Sequence, residues 1–338
     1  MAERKQLRRR EDAGISYFAS SNKDVSTFSS GCALLDCVLG GGYAVGRMIN
    51  IVGDKSSGKT LMAIEATANF LLKYPKARVR YAEVESAFDV SYAAALGMPV
   101  DQVEFPEDIF TVEDLYEDLE RVSEAAAKTR QPTLYVIDSY DALSDRAELA
   151  RKIDEGTYGG NKAKTGSQMF RRVVQKLETG RVTLMIISQV RDNIGVTFGN
   201  KLTRTGGRSL DFYASQVLWL AEIGKLKRVI RGVERVYGVE VRANCKKNKV
   251  GLPFRTCDYP IVFGYGVDDV SANVGWLQSV KQLPSIGFTE GRWKQELTAL
   301  QKLSDHEFSV KRQNIAAVVT GLWSDIEQEF LPKRGKYR

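Results

Sequence analysis

The sequence predicts an α/β fold built on a doubly wound, mostly parallel sheet. Three observations carry this prediction. Short apolar runs alternate with longer stretches of helical period from residue 28 to residue 270, the order expected when strands and helices alternate. The runs are apolar on both faces, as strands covered by helices on two sides are. The first run also passes through a glycine-rich turn straight into the first helix, a strand–loop–helix unit typical of such sheets.

Taken in order, Arg47–Val52 reads as a short buried strand, and Leu61–Lys73 as the helix after the turn. Val79–Glu83 is a second strand, Val112–Thr129 a helix, Thr133–Asp138 a buried strand, Thr165–Glu178 a helix and Val182–Ser188 another strand. Gln216–Ile223 and Val236–Asn244 follow each other across a basic turn and are expected as antiparallel additions. Residues 1–27 form a lead-in with a lone strand, Ile15–Phe18, which could pair with a sheet edge on its own chain or on a neighbour; it is expected to serve oligomerisation. Leu297–Leu303 and Ile315–Phe330 read as helices in a region that also holds Trp293 and Trp323, suggesting a small α-rich domain over 271–338 behind the core of 28–270.

Hydrophobic residues make up 43% and charged residues 27% of the 338, ordinary values for a soluble chain. No apolar run approaches a membrane span, and no apolar h-region follows the basic N-terminus. The net charge of +7 sits at the ends: Arg4, Lys5, Arg8, Arg9 and Arg10 at one, Lys333, Arg334, Lys336 and Arg338 at the other. The body between them is close to neutral, so binding of nucleic acid has to rest on local patches. Cys32, Cys37, Cys245 and Cys257 lack the paired C-x2-C spacing of zinc knuckles and read as reduced thiols of a cytoplasmic protein. His306 is the only histidine, which excludes His-cluster metal sites.

The turn itself is Gly53-Asp54-Lys55-Ser56-Ser57-Gly58-Lys59-Thr60, followed by Leu61. It fits G-x-x-x-x-G-K-[ST], in which backbone N–H groups wrap phosphates, the lysine reaches the β and γ phosphates and the threonine hydroxyl joins Mg²⁺. ATP and Mg²⁺ are therefore the expected ligands. Asp138 ends an apolar strand whose C-terminal end would lie beside this loop, placed to hold Mg²⁺ or its water. Hydrolysis needs a carboxylate to direct water, and Glu83 and Glu85, two apart and pointing the same way, are equal candidates. Gln189, at the end of Val182–Ser188, could report on the γ-phosphate.

Two loops suit a nucleic acid. Val190–Arg208 is rich in Gly, Thr and Asn and holds Arg191, Lys201, Arg204 and Arg208 around Phe198. Ile153–Lys164 offers Tyr158, Lys162 and Lys164, and Arg171 follows on the next helix. Cations around an aromatic ring suit phosphate contact with base stacking. Arg242–Arg255 carries five basic residues and no acid; Lys247 and Lys249 lie on one side of a strand, where they could neutralise charge developing on a γ-phosphate.

Together these motifs resemble the RecA family of recombinases. Ser29–Asp36 is similar to its lead into the ATPase core, and Gly53–Thr60 to its form of the phosphate loop. Glu83–Asp89 with Tyr92 is similar to its acid-rich turn, which implies Glu85 as the water-activating glutamate and Asp89 and Tyr92 near the ribose and adenine. Ser188–Arg191 through Ile194–Asn200 and on to a final Thr205-Gly206-Gly207 resembles the γ-phosphate-sensing glutamine, Gln189, and the second DNA loop. Asp211–Ser215 implies Phe212 at a subunit contact, and Lys247-Asn248-Lys249 a lysine pair reaching a neighbour's ATP. The likeness covers about 14–270. The first DNA loop is longer and more basic than the family's, Asp211 and Val217 stand where bacterial members carry basic residues, and the C-terminus ends basic; the pattern suits a divergent, bacteriophage-type member. The resemblance implies a cytoplasmic, DNA-dependent ATPase that forms helical filaments on single-stranded DNA and pairs it with homologous duplex. A ring-shaped motor and an ATP-switched mediator are the alternatives.

Overall fold

The central strand, β3 (Met48–Gly53), is buried along its whole length and lies between two parallel neighbours, β7 (Val182–Asp192) and β9 (Gln216–Ile230). The computed structural model describes residues 25–151, 161–192, 202–204 and 207–334; for 161, 191–192, 202–204 and 207–208 it describes the backbone alone. From β7 the sheet runs through β6 (Thr133–Asp138) and β4 (Arg78–Glu83) to β5 (Val103–Glu104), all parallel. From β9 it runs antiparallel through β10 (Val233–Asn248) and β11 (Arg255–Val262) to β12 (Gly266–Val267). The α/β class and the mostly parallel sheet are as expected, and so are the antiparallel additions. A two-stranded ribbon of β1 (Thr27–Phe28) and β2 (Tyr43–Ala44) precedes the core, with α1 (Ala33–Leu39) between its strands.

Helices cover both faces, each with its own apolar cluster. On one face α2 (Lys59–Lys73) packs through Leu61, Met62, Ile64 and Phe70. That cluster runs on into α1 and into the C-terminal helices α8 (Asp269–Ser279), α9 (Trp293–Leu300) and α10 (Asp305–Glu329), through Leu34, Leu277, Ile315 and Val319. Trp276 and Trp323 lie 5.6 Å apart at the seam. On the other face α4 (Val112–Thr129), α6 (Asn161–Gly180) and α7 (Gly207–Tyr213) cover Tyr135, Ile137, Leu184 and Ile186. Three short helices, α3 (Val90–Ala95), α5 (Arg146–Leu149) and the turn at Tyr140–Ala142, connect strands.

α4 has the bounds the sequence predicts because both ends are signalled: Thr111 and Asp114 form a capping box, and Arg130 closes the helix in the left-handed region. Its buried Asp118 accepts hydrogen bonds from Arg80 at 2.6 and 3.0 Å, from Tyr135 at 2.7 Å and from Arg121, tying the helix to two strands. The hairpin of β9 and β10 is longer than expected. Beyond Ala221 its residues mix charged and apolar side chains while standing largely in solvent, so the cations that read as a turn, Arg231 excepted, are strand residues. Lys227 pairs with Glu234 at 3.0 Å, and Arg228 lies 4.6 Å from the Tyr237 ring.

Glu65 of α2 yields a measurable property of this packing. Its carboxylate accepts the Val267 N–H at 2.7 Å beside the Asp269–Arg312 pair. Burial, reinforced by Asp269, raises its pKa from 4.5 to about 7. A raised acid binds more protons folded than unfolded between those values, so its stabilising share is present below pH 4.5 and lost as pH rises through about 7. Glu65→Gln keeps the acceptor and removes the titration. In urea unfolding the variant should therefore gain on the wild type by up to about 3 kcal/mol between pH 4.5 and 8; a difference independent of pH rejects this.

Candidate active site

Parallel strands bring their C-terminal ends together, and here that edge gathers the expected nucleotide residues. β3 ends at Gly53, in register with Gln189 of β7; β4 ends at Glu83, in register with Asp138 of β6. The phosphate loop leaves β3 and enters α2 with Gly58 as its N-cap, at φ +85°, a left-handed conformation suited to glycine. At Gly53 a Cβ would lie 2.3 Å from Ser57 Oγ and 2.9 Å from the Leu220 carbonyl, so only glycine lets the loop fold back here. α2 has no side-chain cap, which leaves its first N–H groups and its positive end for an anion.

Within the loop, Lys55 N–H donates to Asp54 Oδ1 at 2.7 Å, and Ser57 Oγ to the Asp54 carbonyl at 2.8 Å. The Lys59 ammonium donates to the same carbonyl at 2.7 Å. Burial lowers the pKa of Lys59, against the carboxylates of Asp138, Glu85, Asp54 and Asp141, which hold it up. Asp138 is 5% exposed, and burial raises its pKa while the Thr60 and Tyr81 hydroxyls oppose the rise; Tyr81 donates to it at 2.9 Å. A buried carboxylate next to a threonine hydroxyl is a hard oxygen pair that suits Mg²⁺. Among the described residues no three His, Cys, Asp or Glu side chains converge as a closed cage, so the rest of such an ion's shell would come from phosphate and water.

Glu83 and Glu85, indistinguishable by spacing, part company in the fold. Glu83 Oε1 accepts the N–H groups of Glu85 at 2.9 Å and Ala87 at 3.2 Å, closing its own turn. Glu85 Oε1 instead accepts the Ser139 hydroxyl and the Gln189 side-chain amide, the latter at 2.8 Å. The acid and the amide singled out from the sequence are thus in direct contact at the edge of the loop. Asp89 caps α3 by accepting the Tyr92 N–H at 2.9 Å, and the Tyr92 ring is 39% exposed at this same edge.

Lys247 and Lys249 lie elsewhere. Lys247 pairs with Val217 of β9, which is level with Asn50 of β3. β10 runs antiparallel, so the lysine pair sits at the N-terminal end of the parallel strands, opposite the phosphate loop. Lys247 donates to the Asp211 and Phe212 carbonyls at 2.6 and 2.7 Å, at the C-terminal end of α7, where a helix dipole favours a cation. Burial, then Lys249, lowers its pKa to about 8, with Asp211 opposing. Phe212, beside it, is 69% exposed.

The sequence matches the RecA N-terminal domain family over residues 10–268. Protein RecA of Prochlorococcus marinus (strain AS9601) is 33% identical over 274 residues, spanning 81% of this chain and 71% of that protein. Protein RecA of Nostoc punctiforme (strain ATCC 29133 / PCC 73102) is 34% identical over 269 residues, spanning 80% of this chain and 70% of its own. The chain belongs to the RecA family. At this identity it is a divergent member, and the sheet and phosphate loop described above are its RecA-like core.

The residues expected at DNA are only partly within the described structure. Tyr158, Phe198, Lys201, Thr205 and Gly206 lie outside it, as do Ile15–Phe18 and the tail beyond 334. Arg191 and Arg204 stand in β7 and β8 (Leu202–Arg204), which pair antiparallel, and Gly207 and Arg208 open α7. Lys164 and Arg171 are exposed on α6. Lys162 is turned inward: its ammonium donates to the Asp141 carbonyl at 2.9 Å and to the Leu143 carbonyl, 5.5 Å from the Tyr140 ring centre. Sequence reasoning passed over Asp141, whose Oδ2 accepts the Gln189 N–H at 2.7 Å. No spacing signal marks it, since the contact joins residues 48 apart in the chain. Among the described residues no helix is long and apolar enough to cross a membrane.

Proposed function

We propose that this RecA-family chain is an ATP-dependent recombinase that forms filaments on single-stranded DNA and promotes homologous pairing and strand exchange, with DNA-stimulated ATP hydrolysis. The observation that carries the reading is the separation of the two halves of the nucleotide machinery to opposite ends of the sheet. Lys247 and Lys249 cannot reach the phosphate loop of their own chain, but they can reach that of a copy stacked head to tail. Such a contact is heterologous, and repeated it makes an open helix, or a ring if the rotation closes.

ATP is the substrate, held between protomers. Gly53–Thr60 cradles its phosphates, Lys59 neutralises their charge, and Asp89 and Tyr92 face the ribose and adenine. Thr60 and Asp138 would hold Mg²⁺, which when bound offsets phosphate charge. Glu85 orients and deprotonates the attacking water. Gln189 releases Glu85 to meet the γ-phosphate, and so passes the nucleotide state into the loops of Val190–Arg208 and Ile153–Lys164. Lys164, Arg171, Arg191, Phe198, Lys201, Arg204 and Arg208, with Tyr158 and Thr205–Gly207, form the DNA surface. Residues 1–27 are the oligomerisation arm, and 271–338 the small C-terminal domain. By linkage, ATP tightens DNA binding by the factor by which DNA tightens ATP binding.

Electron microscopy with single-stranded DNA and a slowly hydrolysed ATP analogue should show helical filaments; closed rings would favour a motor. Joint formation between single-stranded DNA and homologous, but not heterologous, duplex should require ATP. DNA affinity should fall with salt at a log–log slope of about −0.7 per phosphate neutralised. Equal DNA affinity with no nucleotide, with ADP and with ATP would overturn the reading.

A further inference from the structure

We propose that Asp141 is a positioning residue that holds Gln189 and, with Lys162, joins the phosphate-sensing end of β7 to the start of α6. This rests on the recombinase reading and adds to it a path between the nucleotide and the first expected DNA loop, which runs into α6.

The joint is built from four contacts. Asp141 Oδ2 accepts the Gln189 backbone N–H at 2.7 Å, and so fixes the strand end that carries the amide facing Glu85. The Lys162 ammonium, on the first turn of α6, caps the Asp141 and Leu143 carbonyls. Tyr140, the residue before Asp141, is buried against Phe170 of the same helix at 5.6 Å. Gly166 meets Tyr140 so closely that a Cβ there would fall 2.2 Å from the phenol oxygen. Residues 139–143 are therefore clamped between α6 and β7. Their other end supplies Ser139, whose hydroxyl donates to Glu85. Asp141 Oδ1 is buried and finds no partner among the described residues. One oxygen thus holds the Gln189 N–H while the other is left unpaired, a costly arrangement for a group with no positioning role. A shift of Gln189 on meeting a γ-phosphate must then pull on Asp141, and through it on Lys162 and the first turns of α6.

The test uses the full chain with poly(dT) and reads the ratio of DNA-stimulated to unstimulated ATP turnover. Asp141→Leu and Lys162→Met should each lower that ratio about tenfold, within the usual range of site-to-site coupling. The double variant should fall no lower than the worse single one, because one joint is cut twice. Asp141→Asn keeps an acceptor for Gln189 and should stay within about threefold of wild type, a neutral acceptor being weaker than a charged one. Stimulated and unstimulated turnover falling together, or effects that multiply in the double variant, would overturn the joint. A wild type without DNA stimulation would instead sink the recombinase reading. Hydrogen exchange then decides the inference by itself. With Mg²⁺ and a slowly hydrolysed ATP analogue, exchange in residues 161–168 should slow in the wild type and not in Asp141→Leu or Lys162→Met; equal slowing in all three, or none in the wild type, overturns it.

Discussion

Lys59→Ala should abolish nucleotide-dependent filaments and lower ATP turnover by about 10²–10³-fold, the usual cost of removing one preorganised charge donor at a reacting phosphate or oxyanion. In the structure the ammonium rests on the Asp54 carbonyl inside its own loop. On the proposed reading, a phosphate wrapped by the loop would take the place of this neutral acceptor as an anion. Burial already lowers its pKa, and a phosphate would reverse that effect and raise affinity. The fold should survive, because Ser57 also donates to the same carbonyl. Light scattering and electron microscopy with single-stranded DNA check the result. Filaments of normal length and nucleotide dependence in the variant would refute the role of the loop.

Lys247→Ala should lose about 10³-fold in turnover, as expected of a cation supplied in trans to a transferring phosphoryl group. On the proposed reading, each junction would take its phosphate loop and Glu85 from one protomer and its lysine pair from the next. Neither Lys247→Ala nor Glu85→Ala protomers alone would then form a complete junction. In an equal mixture, about a quarter of junctions pair an intact Glu85 with an intact Lys247, given random head-to-tail assembly. Mixing should therefore restore turnover to about that share of wild type. No recovery at any ratio would reject action in trans. Thermal melting serves as the control, since removing Lys247 also uncaps the carbonyls of Asp211 and Phe212.

Much of the core was legible because its signals are local. The phosphate loop is contiguous, and its glycines answer in part to local demands, the close approach of Ser57 to Gly53 and the positive φ of Gly58, although Leu220 and Ile261 also crowd them from far along the chain. Thr133–Asp138 and Val112–Thr129 have the bounds predicted for them, one by an unbroken apolar run, the other by caps at both ends. Elements that leave the core were less legible. β9 and β10 continue to Ile230 and from Val233 as a solvent-exposed hairpin, where burial no longer imposes an apolar pattern. α6 starts at Asn161 rather than Thr165, because its first turn is held by the Lys162 contact with a distant loop rather than by apolar period.

The chain's own order of residues determined the parallel sheet, the loop that cradles an anion and the acids and amide that end its strands, because each follows from spacing along one element. Tertiary structure alone decided which glutamate closes a turn and which meets Gln189, since a spacing of two does not separate them while the chain leaves β4 at Glu83 and gives each its own partners. It also brought Asp141 under Gln189 from 48 residues away. Above all its register set Lys247 against Val217 and Val217 level with Asn50, and so placed the lysine pair at the far end of the sheet from the phosphate loop. The antiparallel direction of β10 was expected from its order in the chain, but register is a property of the assembled sheet, and no window of sequence contains it.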